Sequence, residues 1–318
     1  DFQHSKYMIF NNKKILKKYP WLNKKNMPMI ISSSFDGLLC ASLLKHHLNW
    51  NLVGYYNQES LWISDEAVNK KRDIIWVDLN ILPKEGKAIG GHIVSVDGYI
   101  PKGFETSCNP NILADLTASS FRSKFPFSTL IFLLWLYDIK INNDKISKLL
   151  ILNTDATWLK YQNYTENCNE WIEKLSNYNF DKLFKNVNSK IFDDEIDKLL
   201  YPTLLSINSM KEFGKLKSKF LNIVNKELII NPDWDEDSIM RIFELISNHL
   251  KWRVPNLPKI NRRIDGMKHK CSLKKVKEKG INNFIKEKNI FSYAITNPKQ
   301  FSYTSFGNNK KRVLDAKP

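Results

Sequence analysis

The chain has 318 residues, 42% hydrophobic and 12% aromatic, enough to bury a substantial core without disulfide or metal staples. Its 49 Lys+Arg outweigh 33 Asp+Glu to give +16 and a pI near 9.5, which favours a polyanionic partner over a neutral metabolite. Four scattered cysteines without a C-x-x-C, and no apolar run longer than residues 129–137, exclude a small secreted disulfide module and a helical membrane protein.

The excess charge is concentrated at one end. Residues 251–318 hold 18 Lys+Arg against 4 Asp+Glu, or +14 of the +16. The expected organisation is an α/β domain over residues 1–165, a helical segment over 166–250 and a basic C-terminal region over 251–318. No charged-then-apolar segment opens the sequence, and a reducing cytoplasm is the expected setting.

In chain order, residues 28–33 (PMIISS) read as a buried strand and residues 38–48 as a helix, with Leu39, Leu43, Leu44 and Leu48 at helical spacing. Further strands are expected at residues 52–56, at 73–77 (DIIWV), at 92–96 (HIVSV) and at 149–152 (LLIL). Short apolar strands separated by helix-length segments predict a parallel sheet covered by helices on both faces. Residues 167–251 are helical in pattern. The basic region mixes a Lys-rich helical stretch at 273–288 with an aromatic, turn-rich end (Phe291, Tyr293, Phe301, Tyr303, Phe306).

Open α/β sheets bind ligands at the carboxyl ends of their strands. Four predicted strand ends carry a potential metal ligand: Asp36 in Ser34-Phe35-Asp36-Gly37, Asp78 after DIIWV, His92 behind Gly90-Gly91, and Asp155 after LLILNT. Three carboxylates and one imidazole at a common edge suit a single Mn²⁺ or Mg²⁺ ion. Each also has a plainer reading. Asp36 and Asp78 fit cap or turn positions, His92 fits a hydrogen-bonded structural histidine, and Gly90-Gly91 fits a tight turn. Two other candidates fare worse. The run from Asp233 to Asp237 lacks a calcium loop's glycine and closing Glu, having Ser238 and Phe243 there. His46-His47 lies in an apolar helix, where packing or solvation explains it.

The order of these segments resembles the DHH phosphoesterases, especially RecJ-like single-strand exonucleases. Residues 30–48 (IISSSFDGLLCASLLKHHL) resemble the first family motif and its helix, residues 73–78 (DIIWVD) the second and residues 89–93 (IGGHI) the third. Residues 107–111 (SCNPN) and the following Phe125-Pro126-Phe127 resemble the family's Asn-Pro-rich stretch, and residues 149–155 (LLILNTD) the fourth motif. The resemblance covers residues 25–165. It implies a DHH-like fold in which Asp36, Asp78, His92 and Asp155 hold one divalent ion and carry catalysis, with a metal-bound water as nucleophile. The sequence departs from the family where Ser32 and Ser34 stand at positions for acidic or histidine ligands, and where glycine replaces the first Asp of the third motif. One ion site is retained and the other lost if His92 matches the metal-binding histidine. If it matches the phosphate-contacting histidine, the retained site is also short of a ligand.

The basic region reads as a nucleic-acid-binding surface carried by Arg262, Arg263, Lys268, Lys270, Lys274, Lys275 and Lys277, with Lys310, Lys311 and Arg312 near the end. The interleaved Phe and Tyr residues are expected to stack on unpaired bases. A solvated lysine face, or one docking on an acidic protein, is the plain alternative. Two function classes follow. One is a Mn²⁺- or Mg²⁺-dependent phosphodiesterase acting on single-stranded DNA or RNA; the other is a catalytically silent DHH-fold subunit of a nucleic-acid-processing complex.

Overall fold

The computed structural model describes residues 10–82, 87–207, 214–218, 223–226, 232 and 236–307. The main elements in chain order are β1 (Pro28–Ser32), α1 (Phe35–Leu48), β2 (Asn51–Tyr56), β3 (Ser60–Ser64), β4 (Ile75–Val77) and β5 (Ala88–Ile89). Then come α2 (Thr129–Leu136), α3 (Lys145–Asn153), α4 (Thr157–Asn163), α5 (Thr165–Lys174), β6 (Gly214–Ser218), β7 (Ile223–Lys226) and α6 (Glu236–Leu250). The chain continues through β8 (Ile260–Asp265), β9 (Met267–Ser272), α7 (Leu273–Lys279), α8 (Ile281–Lys288), β10 (Ile290–Asn297) and β11 (Gln300–Ser305).

Two compact units interleave along the sequence. One comprises Asp1–Ile15, Ser33–Asn49 and Pro126–Leu257; the other comprises Leu16–Ser32, Trp50–Phe125 and Pro258–Pro318. These units cut across the linear division at residues 165 and 250.

The second unit is built on a six-stranded sheet of order β5-β4-β1-β2-β3-β8. β5, β4, β1 and β2 are parallel, whereas β3 and β8 run antiparallel to their neighbours. The wholly parallel sheet expected from the sequence is therefore a mixed one. The cause is local: β2 and β3 are separated only by Asn57-Gln58-Glu59, too few residues for a parallel crossover. Asn57 Oδ1 accepts from the Glu59 and Ser60 amides at 3.0 and 2.7 Å, and Gln58 takes φ 74°, which together close a tight reversal.

A three-stranded antiparallel sheet of order β10-β11-β9 belongs to the same unit. Its rings Tyr293, Phe301 and Tyr303 pack with Phe284 of α8 and with Ile93 and Phe104 in one core cluster. The aromatic C-terminal end is thus two strands rather than turns, because Tyr293/Ile295 and Phe301/Tyr303 alternate with period two. β10 also grips the strand-end loops: Leu82 donates to Phe291 O at 2.9 Å and Ile295 to Ile93 O at 3.1 Å. Residues 92–96 do not form the strand expected of them; only Ile93 bridges, to Ile295.

The first unit is largely helical. α1 is buried from Phe35 to Leu44, and α2 (TLIFLLWL) is buried throughout. Residues 149–152, expected as a strand, lie in helix α3. Asp144 caps that helix by accepting from the Ser147 amide at 2.9 Å, and a short fully buried apolar run carries no period to distinguish helix from strand. Among the described residues, no helix is long and apolar enough to cross a membrane.

Candidate functional site

The four candidate ligands divide between the units: Asp36 and Asp155 lie in the first, Asp78 and His92 in the second. Among the described residues, no group of three or more His, Cys, Asp or Glu side chains is arranged to hold a metal ion.

In the second unit, three neighbouring parallel strands end together. The chain leaves β1 for β2 on one side, while β4 and β5 lie on the other, so the β1/β4 boundary is the switch point where open sheets form ligand crevices. Ile31 pairs with Val77 and Val77 with Ile89, which puts Ser32, the last residue of β1, at the same rim as Asp78 and Gly90. Ser32 Oγ donates to Asp78 Oδ2 across this boundary. Asp78 sits at φ 60°, a left-handed conformation uncommon outside glycine and one that concentrates at functional positions.

The glycine loop beyond β5 is shaped by close approach. A Cβ on Gly90 would lie 2.7 Å from both Leu79 O and Asn80 Oδ1, so no side chain fits there. His92 is exposed, and its backbone carbonyl is held by a buried side chain. Buried Asn109 donates from Nδ2 to His92 O at 2.8 Å and to Asn80 Oδ1 at 3.3 Å. Buried Asn111 donates to Gly91 O at 2.7 Å while its Oδ1 accepts from the Phe125 amide at 2.7 Å. The SCNPN segment therefore positions the loop carrying His92, a role that its spacing in sequence did not disclose. Cys108 in the same segment is fully buried, and burial pushes its thiol well above the ordinary range.

In the first unit, Asp36 is 3% exposed and its carboxylate caps a different helix. Oδ2 accepts from the Thr129 amide at 2.9 Å and Oδ1 from the Leu130 amide at 3.0 Å, at the N-terminus of α2. That helix has no acidic residue in its first turn, so Asp36 supplies the negative charge its dipole favours. Ser34 has a comparable duty: its Oγ caps α1 by accepting from Gly37 N at 3.1 Å.

Asp155 follows a helix, not a strand end as the sequence suggested. It lies at the α3–α4 junction, where Asp155 and Ala156 take φ of 47° and 49°. Its carboxylate pairs with Lys160. The junction is fixed by buried hydroxyls: Thr154 Oγ1 donates to Ser128 Oγ at 2.7 Å, and Thr157 Oγ1 accepts from Ser128 N at 3.1 Å. Among the described residues His46 and His47 join no metal-ligand grouping, and the His47 ring lies 4.8 Å from that of Tyr137. Asp233 to Asp235 of the acidic run lie outside the described residues, and Glu236 and Asp237 form the first turn of α6.

The basic residues fall on β8, β9 and α7. Arg262, Arg263, Lys268, Lys270, Lys274, Lys275 and Lys277 are all exposed, while Lys310, Lys311 and Arg312 lie outside the described residues. Arg263 is engaged locally, 2.7 Å from Asp265 and 5.3 Å above the Trp62 ring. Lys274 and Lys277 pair with Glu278 and Asp97 at 3.7 and 3.3 Å. Arg262, Lys268, Lys270 and Lys275 enter no ion pair among the described residues. The rings expected to stack on bases are inside: Phe291, Tyr293, Phe301, Tyr303 and Phe306 are at most 8% exposed. They build the core, because a β-strand that buries one face must fill it. No family model, curated protein or solved structure matches the chain.

Proposed function

We propose that the chain is a nucleic-acid-binding α/β protein of DHH-like organisation, acting as a subunit that grips single-stranded DNA or RNA without hydrolysing it. The observation that carries the silent reading is the commitment of Asp36 to the N-terminus of α2 through two backbone amides. A carboxylate with that duty stabilises the fold whether or not a metal is present. The pairing of Asp155 with Lys160 at a helix junction, and a serine in place of an acid beside Asp78, point the same way. The basic residues of β8, β9 and α7 support a polyanionic partner, since phosphate neutralisation asks only for accessible cations.

A second reading, a phosphodiesterase working with one Mn²⁺ or Mg²⁺ ion, is favoured by Asp78 and the His92 loop following adjacent parallel strands. Asp78 and His92 would supply ligands from the second unit, and the ion would polarise a phosphate without the partner ion of a two-metal site. Filter binding of a labelled single strand by the native chain and by Asp78→Ala separates the readings. Equal retention with and without Mn²⁺ supports the subunit; metal-dependent retention lost in the variant supports the enzyme.

A further inference from the structure

β8 and β9 are one continuous ribbon, and that ribbon is the outermost strand of both sheets of its unit. β8 ends the six-stranded order and β9 ends the three-stranded order. The only residue between them is Gly266, where a Cβ would come within 3.0 Å of Glu59 O and Ser305 O and 2.9 Å of the Phe306 ring. Its amide donates to Glu59 O at 2.9 Å, so the crossing from sheet to sheet is fixed rather than hinged.

Along this ribbon Arg262, Lys268 and Lys270 are exposed and enter no ion pair among the described residues, while the one acid, Asp265, is held by Ser60 Oγ and Arg263 Nε at 2.6 and 2.7 Å. Lys268 and Lys270 are two apart on one side of a strand, a repeat of about 6.6 Å that suits successive phosphates of an extended strand. The ribbon holds no Phe, Tyr or Trp, its His269 is stacked on Tyr303 at 4.8 Å, and the rings of the strands that follow are buried.

We propose that the β8–β9 ribbon is a phosphate track: it binds the sugar–phosphate backbone of a single strand through Arg262, Lys268 and Lys270 and makes no stacking contact with the bases. This rests on the nucleic-acid reading above and narrows it to one element and one chemistry. From residue 260 to 272 the track spans about 40 Å, enough for roughly six nucleotides. Binding is therefore indifferent to sequence and steeply dependent on salt.

The test is fluorescence anisotropy of the full chain with a 12-nucleotide oligo-dT and with an abasic tetrahydrofuran strand of the same length, across a salt series. The expected result is affinity for both strands within about threefold. R262Q/K268Q/K270Q should lower the magnitude of the log K–log salt slope by about 2, and affinity on the order of 100-fold at 0.1 M salt. K13Q/K182Q/K190Q removes the same charge from the other unit and is expected to keep the native slope. A native slope in the ribbon variant, or equal losses in the two triple variants, overturns the track. Abasic binding weaker by about tenfold or more overturns backbone-only contact, since each stacked base contributes at least about fivefold. If the native chain binds neither strand, the nucleic-acid reading itself fails and this inference with it.

Discussion

Ser32 and Asp78 join the ends of β1 and β4 through a hydroxyl-to-carboxylate hydrogen bond at the point where the strand order turns. The donor there is a neutral hydroxyl. Ser32→Ala removes this donor to a half-buried carboxylate, at an expected cost of about 1–3 kcal/mol in urea denaturation. A variant as stable as the native chain would mean that water or another group takes over the role.

Asp36 joins residues 93 and 94 positions away through charge-assisted bonds to backbone amides. Asp36→Ala is expected to cost about 3 kcal/mol, and Asp36→Asn, which keeps one acceptor, about half of that. Equal losses from the two variants would show that charge, not hydrogen bonding, dominates at the α2 terminus.

Asn109 and Asn111 hold the Gly90-Gly91-His92 loop through the carbonyls of His92 and Gly91. Asn109→Ala frees His92 O and Asn80 Oδ1 together, so hydrogen exchange at residues 91–93 should accelerate with a stability loss of about 1–3 kcal/mol. Gly90→Ala forces a methyl group against the Leu79 carbonyl, and an expected loss of about 1–3 kcal/mol follows from overpacking. If Gly90→Ala is neutral in thermal melts, the loop is not fixed by that approach.

Asp265 has its carboxyl held below the ordinary 3.8, first by the Ser60 hydroxyl and then by Arg263, against an opposing effect of burial. For Asp144, burial pushes the carboxyl up, but the Ser147 amide, His249 and the Ser147 hydroxyl bring it down further. A depressed carboxyl contributes stability that is fully present above its unfolded value and is lost as pH falls through its lower folded value. Stability should therefore fall below about pH 4, and Asp265→Asn should remove part of that acid limb while leaving the neutral range flat. An unchanged acid limb in the variant would contradict the assignment to this group.

Much of the sheet was legible. β1, β2 and β4 announce themselves as apolar runs ending at turn residues, and α1 as leucines at helical spacing. The run LLIL misled because all four residues are buried, which erases the period that separates helix from strand. The C-terminal rings suggested a stacking platform because composition does not say which face of a strand is covered; in the fold they are the core of the sheet. The partner of Asp36 was out of reach, since nothing local marks an amide 93 positions away as its target. The interleaving of two units was likewise hidden: β8 pairs with β3 across some 200 residues through backbone groups that every residue carries.

The most direct measurement is to incubate an end-labelled single strand with the chain and Mn²⁺ and resolve the products on a denaturing gel. The strand is expected to be bound yet to stay at full length, with native protein and Asp78→Ala indistinguishable. Mn²⁺-dependent shortening by the native chain, abolished in Asp78→Ala, would contradict it.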